Sequence, residues 1–535
     1  MRAPTFNLAD LWETLCDAGP DAECLVAPPL RHTRGSLDRA ANRIANHLVS
    51  TGIQPGDRVG LYSRNRAEYV EALLGCWKCG AVPVNVNWRY VAEELGYVID
   101  DAELVAMIVE DEYLPVLDEL AFDRPIRMGA WEGASEARDF SDVPRSADDV
   151  YMLYTGGTTG MPKGVMWRHE DFFYACCLGG SLFDPISEPA EIARNAQPAF
   201  RMSPLVLGPL MHGGGQWLTL IALFGGNRAV VYTERHFDAA RVLDLAVSDH
   251  ATTIGIIGDA MARPIAEAVL AEPKRWDCSE IVGIGNGGAM LSASVKTQLA
   301  RAFPNAVLND SYGASETGAA GSEVGASTER DRPAFTTDGR TWVLDPDTLE
   351  PLEPGSGVEG LFARRGHIPL GYWKDPVKTA ATFRTDANGV RWVVPGDWAT
   401  IDGEGRIVLF GRGSGCINSG GEKVFPEEVE AAVRAHPDVF DAVVVGVPDD
   451  RFGQKVVALV KLRSGASELT LAALQEHCRA RIAGYKVPRA LLVGEAPRTN
   501  TNKPDYATAQ KIARAGDRPR PPRSTHLTRP PDSPA

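Results

Sequence analysis

Tyr154-Thr155-Gly156-Gly157-Thr158-Thr159-Gly160-Met161-Pro162-Lys163-Gly164 is a run of glycines and hydroxyls closed by one lysine, the chemistry a polyphosphate needs. Gly156, Gly157 and Gly160 let backbone N–H groups turn inward at φ values other residues resist, and Thr155, Thr158 and Thr159 add hydroxyl donors. Lys163 supplies a point charge for phosphate oxygens. The loop is not a Walker A sequence, because Lys163 follows Pro162 and precedes Gly164 instead of standing in Gly-Lys-Ser/Thr. Its flanks, Val150 to Tyr154 and Val165-Met166-Trp167, are short and apolar, so the loop is expected to join two strands and not to open a helix.

Upstream, apolar residues recur at helical spacing through 36–51 (Leu37, Ala40, Ile44, Leu48), and Arg58 to Tyr62 reads as a buried strand. A helix over Ala67–Lys78 leads to a strand over 81–86, and further strands are expected at 228–232, 253–257 and 281–284. This alternation predicts an α/β fold, a large N-terminal domain of layered α/β subdomains with parallel strands. After about residue 340 the texture changes to short strands with turn signals such as Asp345-Pro346-Asp347 and Asp402-Gly403-Glu404-Gly405, which predicts a β-rich subdomain. A compact α+β pattern then follows: helix 426–435, strands near 441–447 and 455–462, helix 469–483. The boundaries expected are 1–411 for the large domain, 412–415 for a hinge, 416–513 for the small C-terminal domain and 514–535 for a disordered, Pro- and Arg-rich tail.

With 535 residues the chain exceeds one ordinary core. Its formal charge of -15 argues against nucleic-acid binding driven by phosphate neutralisation. The N-terminus lacks an apolar signal region, and no stretch approaches the roughly 20 apolar residues of a membrane span, so a cytoplasmic location is expected, with peripheral membrane contact left open. Nine cysteines suggest reduced thiols. Cys76-Trp77-Lys78-Cys79 lies in an apolar helical pattern with no second CxxC, which makes it core and not a metal site. The sequence gives no handle on oligomeric state.

Gly283-Ile284-Gly285-Asn286-Gly287-Gly288 satisfies the dinucleotide fingerprint, with Asp310 placed 22 residues beyond Gly288. It comes late in the chain, however, and Tyr312-Gly313-Ala314-Ser315-Glu316-Thr317 follows it. Together with the 154–164 loop, these stretches resemble the motifs of the acyl-CoA synthetase, adenylation-domain and luciferase superfamily of adenylate-forming enzymes, and the resemblance extends along most of the chain. It implies that Thr155 to Gly160 and Lys163 cradle ATP phosphates, and that Gly287, Gly288 and Ala289 form a wall against adenine. Asp310, Ser311, Tyr312 and Gly313 fall in the same nucleotide site, where Tyr312 stacks on the base, Thr317 touches the α-phosphate and Glu316 binds Mg²⁺ between phosphates.

The resemblance further implies that Asp397 and Arg412 hold the ribose, and that Ser414, between Gly413 and Gly415, replaces the charged hinge of many relatives. Ser419, Gly420, Gly421 and Lys423 belong to the loop that meets the pantetheine arm of CoA, and His212, before Gly213-Gly214-Gly215, lines the carboxylate end of an apolar acyl pocket with Trp217 and residues 255–262 as walls. Pro497-Arg498-Thr499-Asn500-Thr501-Asn502-Lys503 resembles the motif that presents the lysine of adenylation, with Asn502 in place of the usual glycine. The function so implied is ATP- and Mg²⁺-dependent ligation of a carboxylic acid to CoA through an acyl-adenylate, with a mobile C-terminal domain. Residues 156–171, 258–264 and 411–428 resemble actinobacterial ligases of long-chain and steroid side-chain acids. A medium-chain, aryl or terpenoid acid, or a carrier-protein acceptor in place of CoA, stays open at this point.

Overall fold

The computed structural model describes residues 3–156, 161–181, 183–288, 291, 293–325, 333–412, 417–424, 426–466, 468–497 and 505–516, and every count below refers to these. Gly157, Thr158, Thr159, Gly160, Ala289, Ser414, Asn502 and Lys503 lie outside the described residues, as does the tail beyond 516.

The quoted loop joins two strands, as its flanks require: Val150–Gly156 and Pro162–Arg168 pair antiparallel, with Thr155 opposite Lys163 and Gly156 opposite Pro162. They belong to a seven-stranded sheet in which Val82–Val86, Arg58–Tyr62, Leu104–Val109 and Pro125–Arg127 run parallel, while Gly371–Tyr372 closes the other edge against Pro162–Arg168. Val82–Val86 is buried at every position, as expected of a parallel strand covered on both faces. Helices Arg34–Ser50 and Ala67–Lys78 cover it, and they approach closely at Gly75, where a Cβ would lie 2.9 Å from Ile44 Cβ. Cys76 and Cys79 are buried in this layer.

A second, eight-stranded sheet runs Gly318–Val324, Val307–Ala314, Gly283–Asn286, Thr253–Ile256, Pro204–Val206, Ala229–Val231, Glu23–Ala27, Leu30–Thr33, parallel except for the hairpin at each edge. One core, including Trp12, Trp77, Trp167 and Phe172, fills the space between the two sheets, and a second lies under helices Ala239–Ser248, Gly258–Ala271 and Ala293–Ala302. The expected β-rich subdomain is a seven-stranded sheet built from strands between Ala334 and Arg412.

The small domain pairs the long strands Val439–Asp449 and Gly453–Leu462. Helices Pro426–Arg434 and Leu471–Arg479 pack on one face, and helix Tyr506–Gly516 on the other. That last helix ends at Gly516, and its Ala509 and Ala513 are fully buried in a cluster with Val443, Val445 and Val457. Among the described residues no helix is long and apolar enough to cross a membrane.

Candidate active site

Parallel strands leave their carboxyl ends on one edge, and ligands of open α/β sheets collect there. Three such ends meet around Ile257. Its side chain lies 3.5 Å from a Cβ built on Gly208, 3.8 Å from one on Gly288 and 2.8 Å from one on Gly421, so loops after three strands and a turn of the small domain converge on one residue. Gly288 has φ +80° and Gly421 φ +85°, a backbone region that favours glycine at both points of approach.

Buried amides fix the loop that ends in His212. Asn85 on strand Val82–Val86 donates to Tyr154 O (2.8 Å) and Met211 O (2.6 Å) and accepts from Tyr154 N (2.6 Å), tying the entry of the 154–164 loop to the residue before His212. Asn65 donates to Gly208 O (3.1 Å) and accepts from Leu210 N (2.7 Å), and Gln216 donates to Leu210 O (3.1 Å). Gly215 is required here, since a Cβ would stand 2.4 Å from Gly208 O. Asn85→Ala leaves three buried backbone groups without partners, so it is expected to lower stability by about 2–4 kcal/mol, read as an earlier urea unfolding midpoint.

On the phosphate side, Lys163 Nζ forms an ion pair with Asp375, whose side chain also accepts from Lys378 N at 2.8 Å. Burial alone would raise the Asp375 carboxyl, and Lys163 with the Lys378 amide holds it below the ordinary value. Glu316 accepts from Tyr372 OH at 2.8 Å. Tyr372 and Asp375 sit on or next to the edge strand Gly371–Tyr372, which therefore links the two functional side chains. Neither partner was identified from sequence; the Gly371-Tyr372-Trp373-Lys374-Asp375 run was the available signal.

Thr317, expected at the α-phosphate, is placed differently. It is fully buried, and its hydroxyl accepts from Ala314 N (2.9 Å) and donates to Gly318 O (3.1 Å), so it closes the turn between two strands. Ser315, immediately before Glu316, is half-buried, and its hydroxyl has no partner among the described residues. Asp310 also departs from expectation. Both its oxygens are engaged, by Asn286 Nδ2 at 2.8 Å and Lys296 Nζ at 3.1 Å, with the residue 5% exposed, so it ties its strand to the neighbouring strand and to helix Ala293–Ala302.

On the nucleoside side, Tyr312 OH donates to Asp397 Oδ2 at 2.8 Å, and the Tyr312 ring packs edge-on against Phe362 at 4.8 Å. Asp397 stands directly opposite Arg412 in the antiparallel pair of Asp397–Ile401 and Ile407–Arg412, so the two expected ribose residues share a strand pair. Gly313 admits no side chain, because a Cβ would lie 2.4 Å from Gly318 O at the bulge after Tyr312. Ser311 accepts from Asn309 at 3.2 Å.

The small domain reaches this crevice through residues 417–424. Ser419 is buried, and Gly420 N donates to Phe452 O at 2.8 Å, which sets the turn Gly420-Gly421 toward Ile257. The next residue, Glu422, receives Arg89 Nη1 at 2.8 Å and lies 3.2 Å from His212 Nε2, an ion-pair distance out of hydrogen-bond alignment. Burial would raise the Glu422 carboxyl, yet His212 and Arg89 lower it to about 2. Its contribution is thus present above the ordinary value of 4.5 and is lost only as pH falls toward 2, so Glu422 is ionised and its pairing with Arg89 intact across the neutral range. Arg89 and Glu422 were also missed from sequence, where they lie 333 positions apart. Lys423 sits on strand Glu422–Val424, opposite Asn418.

Among the described residues no group of three or more His, Cys, Asp or Glu is arranged to hold a metal ion. The Glu316 carboxylate, which Tyr372 holds, fits a metal that arrives on a triphosphate.

Comparison with known proteins gives the same picture. The model of the AMP-binding enzyme family matches residues 12–373, and that of the AMP-binding enzyme C-terminal domain matches 428–503. A medium/long-chain-fatty-acid–CoA/3-oxocholest-4-en-26-oate–CoA ligase of Mycolicibacterium smegmatis is 45% identical over 95% of this chain and 96% of its own. A 3-oxocholest-4-en-26-oate–CoA ligase of Rhodococcus rhodochrous is 41% identical over 94% and 95%. In fold, the chain is similar to o-succinylbenzoate CoA synthetase of Bacillus subtilis bound with a product analogue, with a TM-score of 0.80, 22% identity, and 94% and 98% of the two chains covered. With its glycine-rich hairpin loop, its crevice at the strand ends and its separate small domain, this chain belongs to the AMP-binding enzyme family.

Proposed function

We propose that this chain is an AMP-forming acyl-CoA synthetase that couples ATP to ligation of a medium- or long-chain fatty acid or a steroid side-chain acid to CoA. The observation that supports it is the meeting of Gly421 and Glu422 of the small domain with Ile257 and His212 at the ends of the parallel strands. The substrate class rests on relatives of 41–45% identity that bear those names.

In the first half-reaction the acid's carboxylate oxygen attacks the α-phosphorus of ATP, the bond to the β-phosphate oxygen breaks, and pyrophosphate leaves. Lys163, freed from Asp375 by exchange onto phosphate oxygens, and the hydroxyl of Ser315 offset charge at the phosphates, a role we transfer from Thr317 to Ser315 because only Ser315 has its hydroxyl unengaged. Glu316 would hold Mg²⁺ arriving with the triphosphate, and the ion would supply further charge neutralisation there. Lys503, in the motif at 497–503, is assigned the charge at the α-phosphate. Asp397 accepts the ribose hydroxyl protons and is itself held by Tyr312, with Arg412 opposite. Removing its charge by Asp397→Asn is expected to raise the KM for ATP roughly tenfold with a smaller effect on the KM for the acid, measured in steady state.

In the second half-reaction the CoA thiol, losing its proton, attacks the acyl carbonyl and AMP departs. The turn Gly420-Gly421 brings bare backbone to Ile257, where the thin arm of CoA would pass, and His212 stands at the acyl end as a donor toward the carbonyl oxygen. Incubation with ATP, Mg²⁺, CoA and a panel from octanoate to palmitate plus a cholesterol side-chain acid tests the proposal. A CoA thioester formed in step with AMP supports it, and AMP formed without thioester redirects the reading to a carrier-protein acceptor.

A further inference from the structure

A buried ion cluster that takes no part in the chemistry above spans the boundary between the two domains. Lys486, in the small domain, has its Nζ 2.9 Å from Glu94 Oε1 of the large domain and in contact with Glu428 of its own domain. The three side chains are only 5%, 4% and 6% exposed. The rings of Tyr90 and Tyr485 flank the ammonium at 5.3 and 5.6 Å. Glu94 is itself fixed, since its other oxygen accepts from Val91 N at 3.3 Å at the start of helix Ala92–Ala102.

Charge at this place is costly unless every member is matched. Burial would push the Lys486 ammonium down, and Tyr485, Glu428, Tyr90 and Glu94 instead raise it well above its ordinary value, so it stays charged. Burial pushes the Glu428 carboxyl up to about 7, and Glu94 adds to that rise against the pull of Lys486. Two carboxylates therefore share one cation, and only one of them belongs to the cation's own domain. When the domains part, Lys486 keeps Glu428 and both meet water. When they dock without the lysine, Glu94 and Glu428 face each other in a dry site. The ammonium thus matches a charge on each side of the domain boundary.

The position gives this contact a consequence. Segment 88–94 of the large domain receives the small domain twice with opposite polarity: Arg89 takes Glu422, and Glu94 takes Lys486. Arg89 also lies over Tyr485 at 6.0 Å, which joins the two contacts. A pair of opposite charges met by a complementary pair fixes one orientation, because the reversed pairing sets like charges together. The orientation so fixed is the one that carries Gly421 to Ile257 and Glu422 to His212.

We propose that Lys486 is a positioning residue for the thiol-transfer step, docking the small domain through Glu94 so that the Gly420-Gly421 turn stands at the acyl end of the crevice, which rests on the ligase reading above. Docking can be read without catalysis. A Cβ built on Gly421 lies 3.6 Å from Ile257 Cβ, within disulfide range, so Ile257→Cys/Gly421→Cys reports docking by its rate of cross-linking under mild oxidation of the full chain.

Adding Lys486→Met is expected to slow cross-linking about tenfold or more, adding Glu94→Gln to slow it less, and adding Lys486→Arg to leave most of it. Lys486→Met on the otherwise unaltered chain should reduce transfer from supplied acyl-adenylate to CoA by a similar factor in its maximal rate, with ATP–pyrophosphate exchange within about twofold of the parent. Unchanged cross-linking, or equal losses in exchange and transfer, would overturn the proposal. So would a loss confined to the KM for CoA, which would make Lys486 a CoA contact. Slowed cross-linking in a chain whose parent shows no acid-dependent exchange would support the docking role while striking the ligase reading.

Discussion

Lys503→Ala should reduce acid-dependent ATP–pyrophosphate exchange by about a hundredfold or more while leaving transfer from a supplied acyl-adenylate to CoA near the parent rate. A cation placed where charge builds on the α-phosphate acts only while phosphorus changes partners. In the described arrangement Gly421 and Glu422 meet Ile257 and His212, and on the proposed reading the small domain has a second surface, that of Lys503, with work in the same place. One surface must leave before the other arrives, and a residue of the first has nothing to contribute to the second step. Rapid-quench measurement of each half separately checks this, and equal losses in both would contradict the division.

Gly421→Val should show the opposite signature. Its φ of +85° is strained for any β-branched residue, and its Cβ would stand 2.8 Å from Ile257 Cγ2. Strain and overpacking together amount to about 3 kcal/mol, or about a hundredfold in the docking equilibrium. Thiol transfer is expected to fall by that factor while exchange is spared, because the orientation used for adenylation does not require Gly421 against Ile257. Single-turnover transfer at saturating CoA reads it, and a variant with normal transfer would remove the glycine turn from the mechanism.

Local signals carried much of the architecture. Arg58–Tyr62 and Ala67–Lys78 fall where apolar runs and helical spacing put them, and the strand–loop–strand reading of 154–164 holds as a hairpin. The small domain is equally legible, because the long valine-rich strands Val439–Asp449 and Gly453–Leu462 supply its core. What sequence did not show is pairing across distance. Nothing local to Asp375 points to Lys163, or to Glu422 points to Arg89 and His212, since these partners come together only when strand ends or domains meet. Thr317 and Ser315 differ in a way that spacing cannot reveal: both carry hydroxyls beside Glu316, and only the turn geometry shows that one is spent on Ala314 and Gly318. Asp310 misleads for a related reason, because its carboxylate is taken up by Asn286 and Lys296.

The most direct test of the central claim, that one crevice runs two separable half-reactions through an acyl-adenylate, is exchange of labelled pyrophosphate into ATP with acid and Mg²⁺ but no CoA. The account predicts exchange that requires the acid, proceeds without CoA and is slowed by Asp397→Asn. Exchange that appears only when CoA is added, or release of ADP and phosphate in place of AMP and pyrophosphate, would contradict it.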